Sequence, residues 1–139
     1  MGGINIGRVV LGGLLAGVVI NLGETVLNLV VVAQAMEEAL RNRNLPPVGG
    51  MAIAGFVVVA FLLGIVTVWL YAAIRPRFGP GVGTAICAGV FVWFSAYLYG
   101  GVARALMGMF SVKLVTIATL WGLPEIVIAS IAGAWLYQE

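Results

Sequence analysis

Histidine and aspartate are absent from this 139-residue chain, which holds one cysteine and only seven Lys+Arg against five Glu. Each shortage excludes something. Without histidine there is no His-Glu-x-x-His, no Ser/His/Asp set and no imidazole for zinc or haem. The lone Cys87 rules out an intrachain disulfide. Set in an apolar run, it reads as a small packing residue, since a thiol in such surroundings is inert. Ser95, Ser111 and Ser130 lack an activating His or Asp, leaving only a formal Ser–Lys pairing with Lys113 and bare carboxylate acid–base chemistry. The expectation is a protein that is not an enzyme, with no cofactor and no metal. The basic residues are too few and too scattered for a nucleic-acid stripe or a polybasic lipid anchor.

What is present is apolar. The chain is 63% hydrophobic and 9% charged, with a mean hydropathy of +1.15, where a soluble domain carries about a quarter charged residues. No hydrophilic stretch is long enough for a second domain, so residues 1–139 form one membrane unit whose first partner is the lipid bilayer. At a rise of ~1.5 Å per residue, about 20 apolar residues cross the hydrocarbon. Four segments qualify: 6–32, 51–74, 82–99 and 113–137. None alternates apolar with polar, which excludes strands. The fold expected is all-α, a polytopic four-transmembrane-helix bundle.

The N-terminal segment superficially spells a secretory signal, with Arg8, an apolar run and Ala33-Gln34-Ala35. Its apolar length exceeds the roughly 7–15-residue core of such signals, and Glu24 interrupts it, so a retained span is expected. Met1-Gly2 does not open a myristoylation motif, because position 6 is Ile6 rather than Ser or Thr. The first helix is expected to outlast the membrane to about residue 44, carried by good helix formers and a Glu37–Arg41 i,i+4 pair. Asn44-Leu45-Pro46-Pro47 stops it. Arg75-Pro76-Arg77-Phe78-Gly79-Pro80-Gly81 reads as a tight hairpin between spans two and three, and residues 101–112 as an interfacial or re-entrant connection.

Basic residues number three on the side of both termini (Arg8, Arg75, Arg77) and four on the other (Arg41, Arg43, Arg104, Lys113). Arg75 and Arg77 sit tight against a span end, which favours cytoplasmic termini in a bacterial-type inner or plasma membrane; the near balance also permits dual insertion. Val68-Trp69-Leu70-Tyr71 and Ala134-Trp135-Leu136-Tyr137 echo each other, as do Ala16-Gly17-Val18 and Ala88-Gly89-Val90. These hint at a weak parallel repeat of 1–75 and 80–139, which the carboxylates do not follow.

Two of those carboxylates stand inside spans. Glu24 lies in the first and Glu125 in the fourth, at depths where an ionisable group costs roughly 2.5–3.5 kcal/mol and marks a pathway or a buried polar contact. Gly13, Gly17, Asn21, Glu24 and Asn28 fall at spacings of 4, 4, 3 and 4, one helical stripe that must face protein or water. Ala118, Gly122, Glu125, Ala129 and Ala132 make a parallel stripe in span four, where Pro124 frees a carbonyl near Leu120. The two helices run antiparallel, so the acids could reach similar depths; whether they approach each other is open in the sequence, and two acids in proximity would titrate as a pair.

Three readings follow. Glu24 and Glu125 could bind a proton, ion or small solute, with Asn21 and Asn28 orienting it, in a channel-like or proton-coupled transporter. They could instead be packing clasps in a structural or accessory subunit, or pair with a basic residue of another subunit. The aromatic residues Phe91, Trp93, Phe94 and Trp121 admit a cation cage but read more simply as packing. Size favours a homo-oligomer or a larger membrane complex, since four helices enclose little cavity alone. In outline the chain is similar to the small multidrug-resistance exporters and the small fluoride channels. Neither the local glutamate motif of the first nor the phenylalanine box and glycine–arginine signature of the second is reproduced, so the resemblance covers architecture and transfers no function.

Overall fold

The computed structural model describes residues 3–138; the reading of Met1-Gly2 lies outside them. The elements are α1 (Ile6–Val26), a π-helical turn (Leu27–Val31), α2 (Ala33–Arg41), α3 (Gly50–Phe78), α4 (Val82–Val92), a second π-helical segment (Trp93–Leu98), α5 (Tyr99–Leu106) and α6 (Val112–Leu136). There is no strand among the described residues. Four helical rods are long and apolar enough to cross a bilayer: Ile6–Val31, Gly50–Phe78, Val82–Leu106 and Val112–Leu136. The chain is an all-α, multi-pass membrane bundle.

Local chemistry sets the helix ends. The Asn5 side chain accepts a hydrogen bond from the Arg8 N–H at 3.1 Å, and the Ser111 hydroxyl accepts one from Leu114 at 3.2 Å, capping α1 and α6. Asn44 takes φ 53°, the left-handed conformation that asparagine tolerates, and closes the tail of α2 ahead of the two prolines. Asn5 and Tyr137 lie at one end of the bundle, where the Asn5 N–H donates to the Tyr137 hydroxyl at 3.3 Å. Tyr71 meets Tyr137 there edge to face, with ring centres 6.0 Å apart.

Glycine governs the packing. Apolar burial gives no net drive between helices in lipid, so close backbone contact takes over. A Cβ on Gly64 of α3 would stand 2.5 Å from Gly17 N and overlap the Gly13 carbonyl oxygen, and one on Gly13 would stand 2.9 Å from Ile65 N. The opposite face of α1 meets α6 in the same manner, Gly12 against Gly133. Between α4 and α6 the buried Ser130 hydroxyl donates to the Ala85 carbonyl at 2.7 Å. Val9, Ala16, Ile20, Val68, Ala88, Ile126 and Ala129 fill the core between these contacts.

Four details differ from the sequence expectations. The first span does not run on as one helix: the π turn and the non-helical Val32 (φ −115°, ψ 7°) separate it from α2. α3 continues through Pro76 to Phe78, because a proline in the last turn forfeits a single bond. The third span continues through Gly100 and Gly101 to Leu106, so the expected connection shrinks to a short turn at Gly108 (φ 67°). Arg104 donates back to Gly100 O at 3.0 Å, and the Thr119 hydroxyl packs where a Gly101 side chain would be. Cys87 is exposed on α4, not packed inside, since it falls on the outward side between the buried Thr84–Ala85 and Ala88–Gly89 pairs.

Candidate functional site: a carboxylate pair between the first, third and fourth spans

Glu125 is 6% exposed, on the inward face of α6 with Gly122 and Ala129. Three elements build its surroundings. From the π segment of span three, the Tyr97 hydroxyl donates to Glu125 Oε1 at 3.0 Å. From α1, Gly23 lies flat against the carboxyl group: a Cβ there would stand 2.8 Å from the carboxyl carbon. One turn back on α6, the Trp121 indole N–H donates to the Gly23 carbonyl at 3.2 Å. The second oxygen, Oε2, has no hydrogen-bond donor among the described residues. Glu24, half-buried on α1, is close enough to interact electrostatically with both Glu125 and Tyr97. The two acids of the sequence stripes therefore lie near enough for Glu125 to feel the charge of Glu24.

The remaining candidates fall at different distances from this pair. Asn28 joins it directly, donating to Glu24 Oε2 at 3.1 Å and to the Glu24 carbonyl at 2.8 Å. Asn21 does not: its amide donates to Gly17 O at 2.9 Å and, weakly, to Val57 O on α3 at 3.5 Å. Beyond that contact α1 and α3 part, and every residue from 51 to 59 of α3 is exposed. Gly13 and Gly17 lie at the α1–α3 contact within one protomer. Gly122 carries the Tyr97 ring, whose Cε1 would be 2.6 Å from a Cβ at that position. The glycine therefore sets how deeply the tyrosine reaches toward Glu125.

Sequence reasoning passed over Tyr97 and Gly23. A signal for Gly23 exists: Gly12, Ala16, Ile20 and Gly23 repeat the 4, 4, 3 spacing of the neighbouring stripe, one residue earlier, and form the α6-facing side of α1. Tyr97 has no such signal, because the π segment shifts its register within span three. Of the four aromatic residues read as a possible cage, Phe91 and Phe94 are 62% and 60% exposed and face outward. Trp93 and Trp121 turn inward, and Trp93 donates to the Thr119 carbonyl at 2.8 Å, next to the carbonyl that Pro124 leaves without its helical donor.

Both π-helical segments lie at the pair, one following Glu24 and one carrying Tyr97. Such bulges in a helical ladder recur at functional sites. Chemically the arrangement offers two carboxyl groups, a phenol, a carboxamide and an indole, with the seven basic residues at the ends of the spans or, for Arg41 and Arg43, outside them. It can share, accept or release a proton, or neutralise a positive charge. No group of three or more metal-ligating acids, cysteines or histidines exists among the described residues. No family model matches the chain, and neither a curated protein nor a solved structure matches it.

Proposed function

We propose that the chain is a small oligomeric membrane transporter or channel-like protein whose working groups are Glu24 and Glu125, coupled to a proton or another cation. The observation that carries this reading is the buried Glu125 with one oxygen unpartnered and a second carboxylate beside it. A group held that way favours a mobile positive charge, and the half-buried Glu24 and Asn28 give that charge a route out. Asn28 is exposed at membrane depth and α3 is bare over residues 51–59. A second copy, or a larger complex, supplies the missing wall. The proposed setting is a bacterial-type inner or plasma membrane with cytoplasmic termini.

A structural or accessory role is the competing reading, and one observation favours it. Tyr97–Glu125 and Trp121–Gly23 are bonds between neighbouring spans, the form a packing clasp takes. Proteoliposome flux separates the two. In a transporter, Glu24→Gln and Glu125→Gln abolish pH-driven solute or proton flux while the purified proteins stay folded, because Gln keeps shape and hydrogen bonding but cannot change charge. In a clasp, wild type shows no flux above empty liposomes and both Gln variants are as stable as the parent.

A further inference from the structure

Away from the carboxylate pair, a concavity lies at the Val112 end of α6, opposite Asn5 and Tyr137. It is a half-open cavity of about 400 Å³ between amphipathic α2 and the start of α6. Ala39, Leu114 and Ile117 line it together with the charged Glu38, Arg43 and Lys113. Arg43 lies in the turn after α2 and reaches across to the turn before α6. Its guanidinium donates to the Gly108 carbonyl and lies 5.4 Å from the centre of the Phe110 ring. Arg41 behaves differently, being neutralised by Glu37 at 3.0 Å on the outer face of α2. Two cations 70 residues apart in sequence are thus assembled at one cavity mouth, which no reading of Lys/Arg runs along the chain reveals.

We propose that this cavity binds the phosphodiester headgroup of an anionic phospholipid. Arg43 and Lys113 hold the phosphate, Arg43 through the guanidinium donors not spent on Gly108. The first part of an acyl chain lies beside Ile117. Three observations select this occupant. The lining carries two positive groups and one negative, a net charge that suits a monoanion. The same lining holds apolar Ala39, Phe110 and Ile117 beside these charges, which suits an amphiphile and not a free ion. Lys113 stands in the first turn of an apolar helix long enough to cross a membrane. Glu38 is then placed to accept hydroxyl hydrogens from a glycerol headgroup and to disfavour more highly charged anions.

The site has a structural consequence. Leu114 and Ile117 also belong to the apolar cluster of Leu27, Val32, Met36 and Trp121 that packs α2 onto the bundle above the carboxylate pair. A seated lipid would brace α2 against α6.

The test is native mass spectrometry of the full chain released from nanodiscs containing equal parts phosphatidylglycerol and phosphatidylcholine, with thermal stability measured in detergent. The wild type should retain phosphatidylglycerol over phosphatidylcholine. Arg43→Gln/Lys113→Gln should lower that retention by roughly tenfold or more, the loss of charge-assisted contacts. Glu38→Gln should not lower it. In detergent, dihexanoylphosphatidylglycerol should raise the melting temperature of the wild type and not of the double variant, while inorganic phosphate alone should do neither. Should the double variant misfold, Lys113→Gln alone, on an exposed position, should still lower retention. The proposal is overturned if wild type shows no preference between the two lipids, or if Lys113→Gln and the double variant retain phosphatidylglycerol as wild type does. It is also overturned if inorganic phosphate reproduces the stabilisation, which would mark an anion site with no place for a lipid.

Discussion

Two glycines of the same helix should respond to the same substitution with opposite sign. A Cβ on Gly64 would meet the Gly13 carbonyl oxygen and stand 2.5 Å from Gly17 N. Both obstacles are backbone, which cannot rotate aside, so α1 and α3 must separate. Overpacking of this sort costs about 1–3 kcal/mol, offset by about 0.5–1 kcal/mol that alanine gains over glycine in a helix. Gly64→Ala should therefore destabilise by roughly 1–2 kcal/mol. Gly55 has nothing within 4 Å of the corresponding point. There the helix preference stands alone, and Gly55→Ala should stabilise by about 0.5–1 kcal/mol. Reversible unfolding in mixed micelles titrated with dodecyl sulfate, followed by helical circular dichroism, reads the difference directly. Equal shifts in the two variants, or a neutral Gly64→Ala, would refute the claim that backbone contact sets the α1–α3 packing.

Other positions give sharper local tests. Tyr97→Phe leaves Glu125 Oε1 without its 3.0 Å donor and should cost about 1–3 kcal/mol in the same unfolding assay, the range for a stranded buried polar group. Ser130→Ala removes a 2.7 Å bond to Ala85 O but leaves no buried donor behind, so a loss of about 1 kcal/mol is expected. Cys87, exposed on α4, should accept Cys87→Leu with a stability change within about 0.5 kcal/mol in the same assay. A loss of about 1–3 kcal/mol, the range for overpacking, would return Cys87 to the core.

The four spans were legible because uninterrupted apolar length is sufficient evidence for a membrane helix. Their ends were less so. Gly100, Gly101 and Arg104 look like a loop to any rule drawn from soluble proteins, yet the helix persists, since Arg104 satisfies Gly100 O and Thr119 fills the space over Gly101. Pro76 misled in the same direction. At the site, Glu24 and Glu125 stood out by charge alone, each carried on a helical stripe, spaced 4, 4, 3, 4 in span one and 4, 3, 4, 3 in span four. Tyr97 was hidden because a π-helical segment changes the angle per residue, which no apolar pattern in Trp93–Leu98 records. The Arg43–Lys113 rim was hidden for another reason: it depends on the break at Val32 that turns α2 back toward α6.

The central claim is that Glu125 is held beside the charge of a second carboxylate, Glu24, inside the bundle. Infrared difference spectroscopy of the carboxyl stretch, recorded against pH for wild type, Glu24→Gln and Glu125→Gln in the same bilayer, tests it most directly. The account predicts a Glu125 carboxyl signal that is lost in Glu125→Gln and whose midpoint moves in Glu24→Gln, because Glu125 feels the charge of Glu24. A Glu125 band unmoved by removal of Glu24, or a carboxyl region indifferent to pH in all three proteins, would contradict it.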